Sequence, residues 1–226
     1  MLDHVFTDAI SALQEAFEGA FLERQAFEER FQSDILAGGI TWETTYGLPG
    51  EGLVPRVVAH LTMEWSTFSQ SSYRHWLLDD GLDGGLDGGL DGGLGAATDV
   101  RPSIGLEVSF RIQRLSTQPG LDTVRSVLPV ESAAVGSGTL ERAGITLEAL
   151  FDENTGSSAS EQPDEWAIEA SYEGLYLLGD DTLADGASTS LDDHFGALGG
   201  WIATILVRLG DLKLEYLASD DGEGTT

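Results

Sequence analysis

The chain has 226 residues, with 11 Lys plus Arg against 39 Asp plus Glu and a formal net charge of −28 at pH 7. Such a charge excludes a free-standing nucleic-acid binder, which needs a basic face to displace counterions from phosphate, and it excludes adsorption to an anionic membrane surface for the same reason. A hydrophobic content of 41%, with nine Phe, five Trp and five Tyr, is too apolar for a disordered acidic chain and predicts a folded core, in one large domain or two small ones.

Residues 1–36 read as one long helix. Leu2, Phe6, Ile10, Leu13, Phe17 and Phe21, then Phe27, Phe31 and Ile35, recur three or four apart except across the polar turn at Arg24, and Gly38-Gly39 stops the run. At about 1.5 Å per residue such a helix is about 50 Å long, more than a small domain buries. It either lies across a sheet as a core helix or offers part of its Phe stripe to a neighbouring subunit.

From Ile40 the period changes to two. Ile40, Trp42, Thr44 and Tyr46 share one face, residues 47–52 form a turn-rich loop, and Val57, Ala59, Leu61, Met63 and Trp65 alternate with Val58, His60, Thr62, Glu64 and Ser66. The two runs predict a β-hairpin with one buried face. Residues 68–78, which hold Tyr73, Arg74, His75 and Trp76, fit either a continued strand or a short helix.

Residues 81–95 repeat Gly-Leu-Asp-Gly, with Leu82, Leu86, Leu90 and Leu94 on a four-residue period. The glycine content opposes helix and sheet through backbone entropy. The Asp spacing differs from that of known calcium-binding repeats, so the segment reads as a linker or protruding loop. It divides the chain into residues 1–80 and 96–218, either two domains or one sheet carrying an insertion.

Ile104, Leu106, Val108, Phe110 and Ile112 alternate with Glu107, Ser109, Arg111 and Gln113 as the next strand, and a weaker one over residues 124–130 is limited by Pro129. Ile145, Leu147, Ala149 and Phe151 mark a third strand, and Trp166, Ile168, Ala170 and Tyr172 a fourth. With no helical pattern between them, these strands predict an antiparallel sheet. A last helix, capped at Ser190 with Asp193 three residues on, keeps Leu191, Phe195, Leu198, Ile202, Ile205 and Leu209 in step until Gly210. Its Gly196, Gly199 and Gly200 predict close approach of another element. Leu212, Leu214 and Tyr216 suggest a short final strand, and residues 219–226 form an acidic tail. The predicted fold is α+β: an antiparallel sheet of about five to seven strands with a long N-terminal helix and a C-terminal helix packed on it.

Chemistry-bearing patterns are few. The lack of Cys excludes disulfides, thiolate metal sites and thiol nucleophiles. Gly136-Ser137-Gly138 lacks the spacing of a nucleophile elbow, Glu141 stands where a dinucleotide loop needs its third Gly, and no phosphate-binding loop occurs. Lys213, between Leu212 and Leu214 and beside Glu215, reads as a surface ammonium. His60 and Glu64 lie about 13 Å apart on a strand, so they make no helical zinc pair. Asp192-Asp193-His194 falls in the first turn of the last helix, where carboxylates favour the helix dipole. Asp79-Asp80 reads as solvated loop carboxylates. No cofactor or metal is expected.

Ten of the eleven basic residues are Arg, and Lys213 is the single Lys. This Lys-poor, carboxylate-rich composition resembles that of proteins from haloarchaea and other organisms that keep molar KCl in their cytoplasm. A Debye length of about 3 Å at 1 M salt removes the self-repulsion that would oppose a compact state. The resemblance is one of composition, and it implies that most of the acidic residues form a solvated surface. Met1-Leu2-Asp3-His4 lacks the basic-then-apolar pattern of a secretory signal. The most apolar run, residues 201–209, falls far short of the roughly 20 residues that span a bilayer. The expected location is a high-salt cytoplasm or a virus particle.

The leading reading is a non-enzymatic structural or assembly subunit of a multi-protein particle from a halophilic archaeon or its virus, most specifically a tailed-virus or contractile-tail component. Its partners are protein subunits, in a homo-oligomer or larger assembly. Phe6, Ile10, Phe17, Phe21, Phe27, Phe31, Tyr73, Arg74 and Trp76 are the interface candidates, since aromatic residues and Arg carry contact energy. This reading expects apolar residues of the first helix to be exposed. The alternative is a small-ligand binder or enzyme with a site on the sheet face, which expects two or more of His60, Glu64, Arg74 and His75 to converge in a pocket. A chaperone or adaptor for other proteins is the third, and it expects an open apolar groove.

Overall fold

The computed structural model describes residues 4–25, 29–33, 38–48, 55–80, 101–151, 163–179, 182 and 187–217. Helix α1 (His4–Gly19) leads into two short strands, β1 (Glu23–Arg24) and β2 (Arg30–Ser33), and then the hairpin β3 (Ile40–Gly47) and β4 (Val57–Trp65). Helix α2 (Thr67–Asp80), strand β5 (Ser103–Leu115), the one-turn helix α3 (Leu121–Arg125), strands β6 (Glu141–Leu150) and β7 (Glu165–Leu177) and helix α4 (Ala187–Gly210) follow. All pairings are antiparallel, in the order β1-β3-β4-β5-β7-β6, with β2 also on β3. The expected α+β fold is the fold observed.

The period-two runs work as their patterning requires. Trp42, Leu61, Met63, Val108, Phe110, Ile168 and Tyr172 are buried on one face, and α1 and α4 cover it. Phe6 stacks on Trp65 at 6.2 Å, Phe17 meets Tyr46 at 4.4 Å, and Trp201 lies 5.5 Å from Phe110 and 5.1 Å from Tyr172. Gly199 explains how two helices fit side by side over the sheet. A Cβ there would stand 2.5 Å from the Cβ of Ala16, so only glycine lets α4 approach α1 so closely.

The first helix is shorter than its apolar spacing predicts. It ends at Gly19 in a C-terminal motif in which Leu22 N–H donates to the Phe17 carbonyl at 3.0 Å and Phe21 N–H to the Glu18 carbonyl at 3.0 Å. Phe21 holds the left-handed position of that motif, at φ 58°. The chain then turns back to run along β3, with Glu23↔Gly47 and Arg24↔Tyr46 paired in β1 and Arg30↔Glu43 through Ser33↔Ile40 in β2. Phe27 lies outside the described residues.

Residues 68–78 are helical rather than extended: Ser66 caps α2 by accepting from Ser69 N–H at 3.1 Å. The weak strand expected over residues 124–130 is instead α3 and a turn that bury Val124 and Leu128. Helix α4 begins at Ala187, so Ser190 lies within its first turn and is not its cap. The final strand reduces to one bridge, Leu115↔Tyr216. The Gly-Leu-Asp-Gly repeat and the acidic tail lie outside the described residues. Strands β4 and β5, which flank that repeat in sequence, pair from Val57↔Ile112 to Glu64↔Gly105, so one sheet joins the two halves of the chain.

Candidate functional site

Among the described residues α1 and α4 pack on one face of the sheet, and the other face is mostly polar. Thr41, Glu43 and Thr45 of β3, Val58, His60, Thr62 and Glu64 of β4, Glu107, Ser109, Arg111 and Gln113 of β5, and Glu169, Ser171 and Glu173 of β7 occupy the alternate positions that point there. A hollow of about 450 Å³ opens on this face, lined among others by Arg30, Glu43, His60, Arg111, Gln113 and Glu169.

Arg111 organises it. Its guanidinium reaches Glu169 Oε2 of β7 at 3.0 Å and Glu148 Oε2 of β6 at 2.7 Å, tying three adjacent strands together. Partial burial alone would lower the pKa of Arg111, but hydrogen bonds and charge from Glu148 and Glu169 raise it above its ordinary value. His60 Nδ1 lies 2.9 Å from the hydroxyl of Thr45, its cross-strand neighbour. Gln113 Nε2 donates to the Pro55 carbonyl at 2.7 Å. Such a lining offers donors and acceptors to a small polar molecule. Thr45 is largely buried and, with His60, lines the floor of this hollow.

Two further hollows border the sheet. One, of about 330 Å³, is lined by Thr62, Glu64, Glu107, Glu173 and Leu175. The other, of about 490 Å³, holds Arg101, Ser137, Tyr176, Thr182 and His194, with the Tyr176 hydroxyl 2.9 Å from His194 Nδ1. Among the described residues no group of three His, Asp or Glu side chains is placed to hold a metal ion. Asp192 and Asp193 are exposed, and His194 turns to Tyr176.

The residues singled out from the sequence separate. His60 lines one hollow and Glu64 another, while Arg74 and His75 are exposed on α2, so the four do not converge. Phe6, Ile10 and Phe17 are buried in the protein's own core, because α4 and the sheet cover that stripe. Tyr73 is buried as well, at 6.0 Å from Trp65 and with its hydroxyl 3.1 Å from His4 Nε2, which makes it a core residue and not a contact anchor. Trp76 belongs to α2, and its side chain lies outside the description. Phe21, at 82% exposure, Phe31, at 53%, and Arg74 are the candidates that the structure leaves on the surface among the described residues.

Sequence reasoning missed other exposed apolar residues: Val130 at 67%, Phe151 at 58%, and Phe68, Leu175 and Leu177. Phe151 shares the parity of Ile145, Leu147 and Ala149 in the strand pattern. It stands just beyond the end of β6 and is exposed. No described helix is long and apolar enough to cross a membrane. No protein-family model matches the chain, and no curated protein or solved structure matches it.

Proposed function

We propose that this chain is a non-enzymatic assembly subunit that works by binding protein, in a multi-protein particle of a salt-adapted archaeon or its virus; a tailed-virus or contractile-tail component is the most specific form of the reading. The observation that carries it is the set Phe21, Phe31, Val130 and Phe151, exposed on a chain of net charge −28. At low ionic strength such charge keeps copies apart. At molar salt the screening length falls to about 3 Å, and apolar contacts then decide association. Phe21 adds to this support: a left-handed backbone costs a non-glycine residue about 1 kcal/mol, and an exposed ring recovers little of that within its own chain.

The test is molar mass by light scattering in multimolar KCl for the intact chain and for a Phe21→Ser, Phe31→Ser double variant. Deleting residues 1–36 would remove α1 from the core, so point variants are needed. A defined oligomer that the double variant weakens supports the reading. A monomer in both, with no protein partner retained from a high-salt extract of its host, contradicts it.

The hollow around Arg111 and His60 favours a second reading, a binder of small polar molecules. A ligand that raises the melting temperature of the intact chain but not of Arg111→Met would favour it over assembly.

A further inference from the structure

We infer that the outer edge of β6 is a self-pairing site, at which a second copy of this chain adds its own β6 antiparallel across a two-fold axis. The inference deepens the assembly reading and rests on it.

The two edges of the sheet differ. Beyond β3 lie β1 and β2, whereas β6 has β7 on one side and, among the described residues, only a short cap on the other. That cap is the bridge Glu131↔Glu141, where Arg142 N–H donates to the Val130 carbonyl at 2.9 Å and Ser132 N–H to the Leu140 carbonyl at 2.9 Å. Past it, residues 143–150 have no described strand on their outer side. A row of unpaired backbone donors and acceptors is a template for another strand, and proteins that avoid this blunt their edges with Lys, Pro or several charges. Residues 143–151 (Ala-Gly-Ile-Thr-Leu-Glu-Ala-Leu-Phe) hold no Lys or Pro and one charge, Glu148, which Arg111 already neutralises at 2.7 Å. In a chain with 39 acidic residues, this edge is one that a second copy can approach without carboxylate facing carboxylate.

The sequence of the edge selects a register. Because side chains alternate between faces, a two-fold pairing keeps both copies in phase only when it is centred on a residue. Centred on Glu148, it opposes two carboxylates directly, which is unfavourable. Centred on Thr146, it drives Leu150 of the partner subunit into the β-bulge between Arg142 and Gly144, beside Val130, which already caps Arg142. Centred on Leu147, it avoids both. Leu147 then meets Leu147 of the partner subunit, Ile145 meets Ala149 of the partner subunit, and Thr146 meets Glu148 of the partner subunit. Ile145 and Leu147, only part-buried in a single chain, gain cover. Phe151 of the partner subunit arrives at the β-bulge around Ala143, near Val130, so the exposed apolar residues at the two ends of one open edge come together across the axis.

The chain has no Cys, so a single introduced thiol reports on the pairing. Under mild oxidation Leu147→Cys gives a disulfide-linked dimer and Phe151→Cys does not, since residue 151 faces residue 143 of the other copy. Thr146 is exposed, so changes there leave the core intact. Thr146→Glu faces Glu148 of the partner subunit at two symmetric places and raises the dimer dissociation constant about tenfold, while Thr146→Lys lowers it. Both are read by sedimentation at the lowest KCl concentration that keeps the chain folded. An oligomer insensitive to Thr146→Glu, which cross-links through Phe21→Cys but not Leu147→Cys, overturns the β6 edge and leaves the assembly reading standing. A monomer at every concentration overturns the edge pairing and self-assembly together.

Discussion

At the β3 edge the chain supplies its own cover. Residues 23–24 and 30–33 fold back as β1 and β2, and Glu29 ties them down: it accepts from Trp42 Nε1 at 3.1 Å and Gln14 Nε2 at 2.9 Å and pairs with Arg24. The exposed positions of that cover include Glu23, Arg24 and Arg30, which keep it wet and discourage further pairing. At the β6 edge the described cover stops at Val130, beside Arg142, and the strand beyond it holds one charge, Glu148. A chain of net charge −28 does not need acid everywhere to stay dispersed, and the stretch of β6 that holds Glu148 alone coincides with the stretch that has no described strand on its outer side.

The largest test of this contrast is to strip the covered edge. Trp42 is fully buried and anchors β3 both to the core and, through Glu29, to β2. Trp42→Ala should cost about 3–5 kcal/mol, read as a lower denaturant midpoint at unchanged slope. Glu29→Ala removes the tie alone. With Glu29 partly exposed, the expected loss is about 1 kcal/mol. It should also make β3 a second open edge, seen as salt-dependent aggregation absent from the intact chain. If Glu29→Ala stays as dispersed as the intact chain, the cover is not what protects that edge.

Phe21→Gly sharpens the comparison from the other direction. Glycine accepts the left-handed position without strain, so the variant should be about 0.5–1 kcal/mol more stable in thermal melts. Association that depends on the Phe21 ring should weaken at the same time, whereas pairing through β6 should not.

Alkaline pH probes the shared core face and should move both edges alike. Burial raises the pKa of Tyr46, Tyr172 and Tyr216 above the ordinary phenol value near 10, with Glu29 and Glu18 adding to the effect at Tyr46 and Arg24, Arg142 and Arg56 opposing it at their respective neighbours. A phenol whose folded pKa is raised contributes stability that is complete below pH 10 and is lost as pH rises through the folded value. Unfolding free energy should therefore hold steady from neutral to pH 10 on this account and fall above it. A fall that begins below pH 9 would point to other groups.

Which of these features the sequence reveals follows from how each is buried. β4 and β5 have one face under helices and one in water, so their alternation is plain, and α4 keeps its apolar spacing because one side faces Phe17 and the sheet. Residues 20–33 carry no such signal. β2 is exposed along its whole length, and the four-residue step from Phe27 to Phe31 imitates a helix that had already ended at Gly19. Exposure at Phe21, Val130 and Phe151 was hidden for a related reason: hydrophobicity shows that a residue favours burial, but only the tertiary cover shows whether it finds it. Arg111 was visible as a polar position on its strand, yet its two carboxylate partners lie 37 and 58 residues away and come together only through the β5-β7-β6 order.

Amide hydrogen exchange, followed residue by residue in dilute and concentrated samples in multimolar KCl, tests the contrast between the edges most directly. Amides of β3 should be protected equally at both concentrations, while amides of residues 143–150 gain protection only in the concentrated sample. If exchange along β6 is the same at both concentrations, the outer edge of β6 does not bind a second copy.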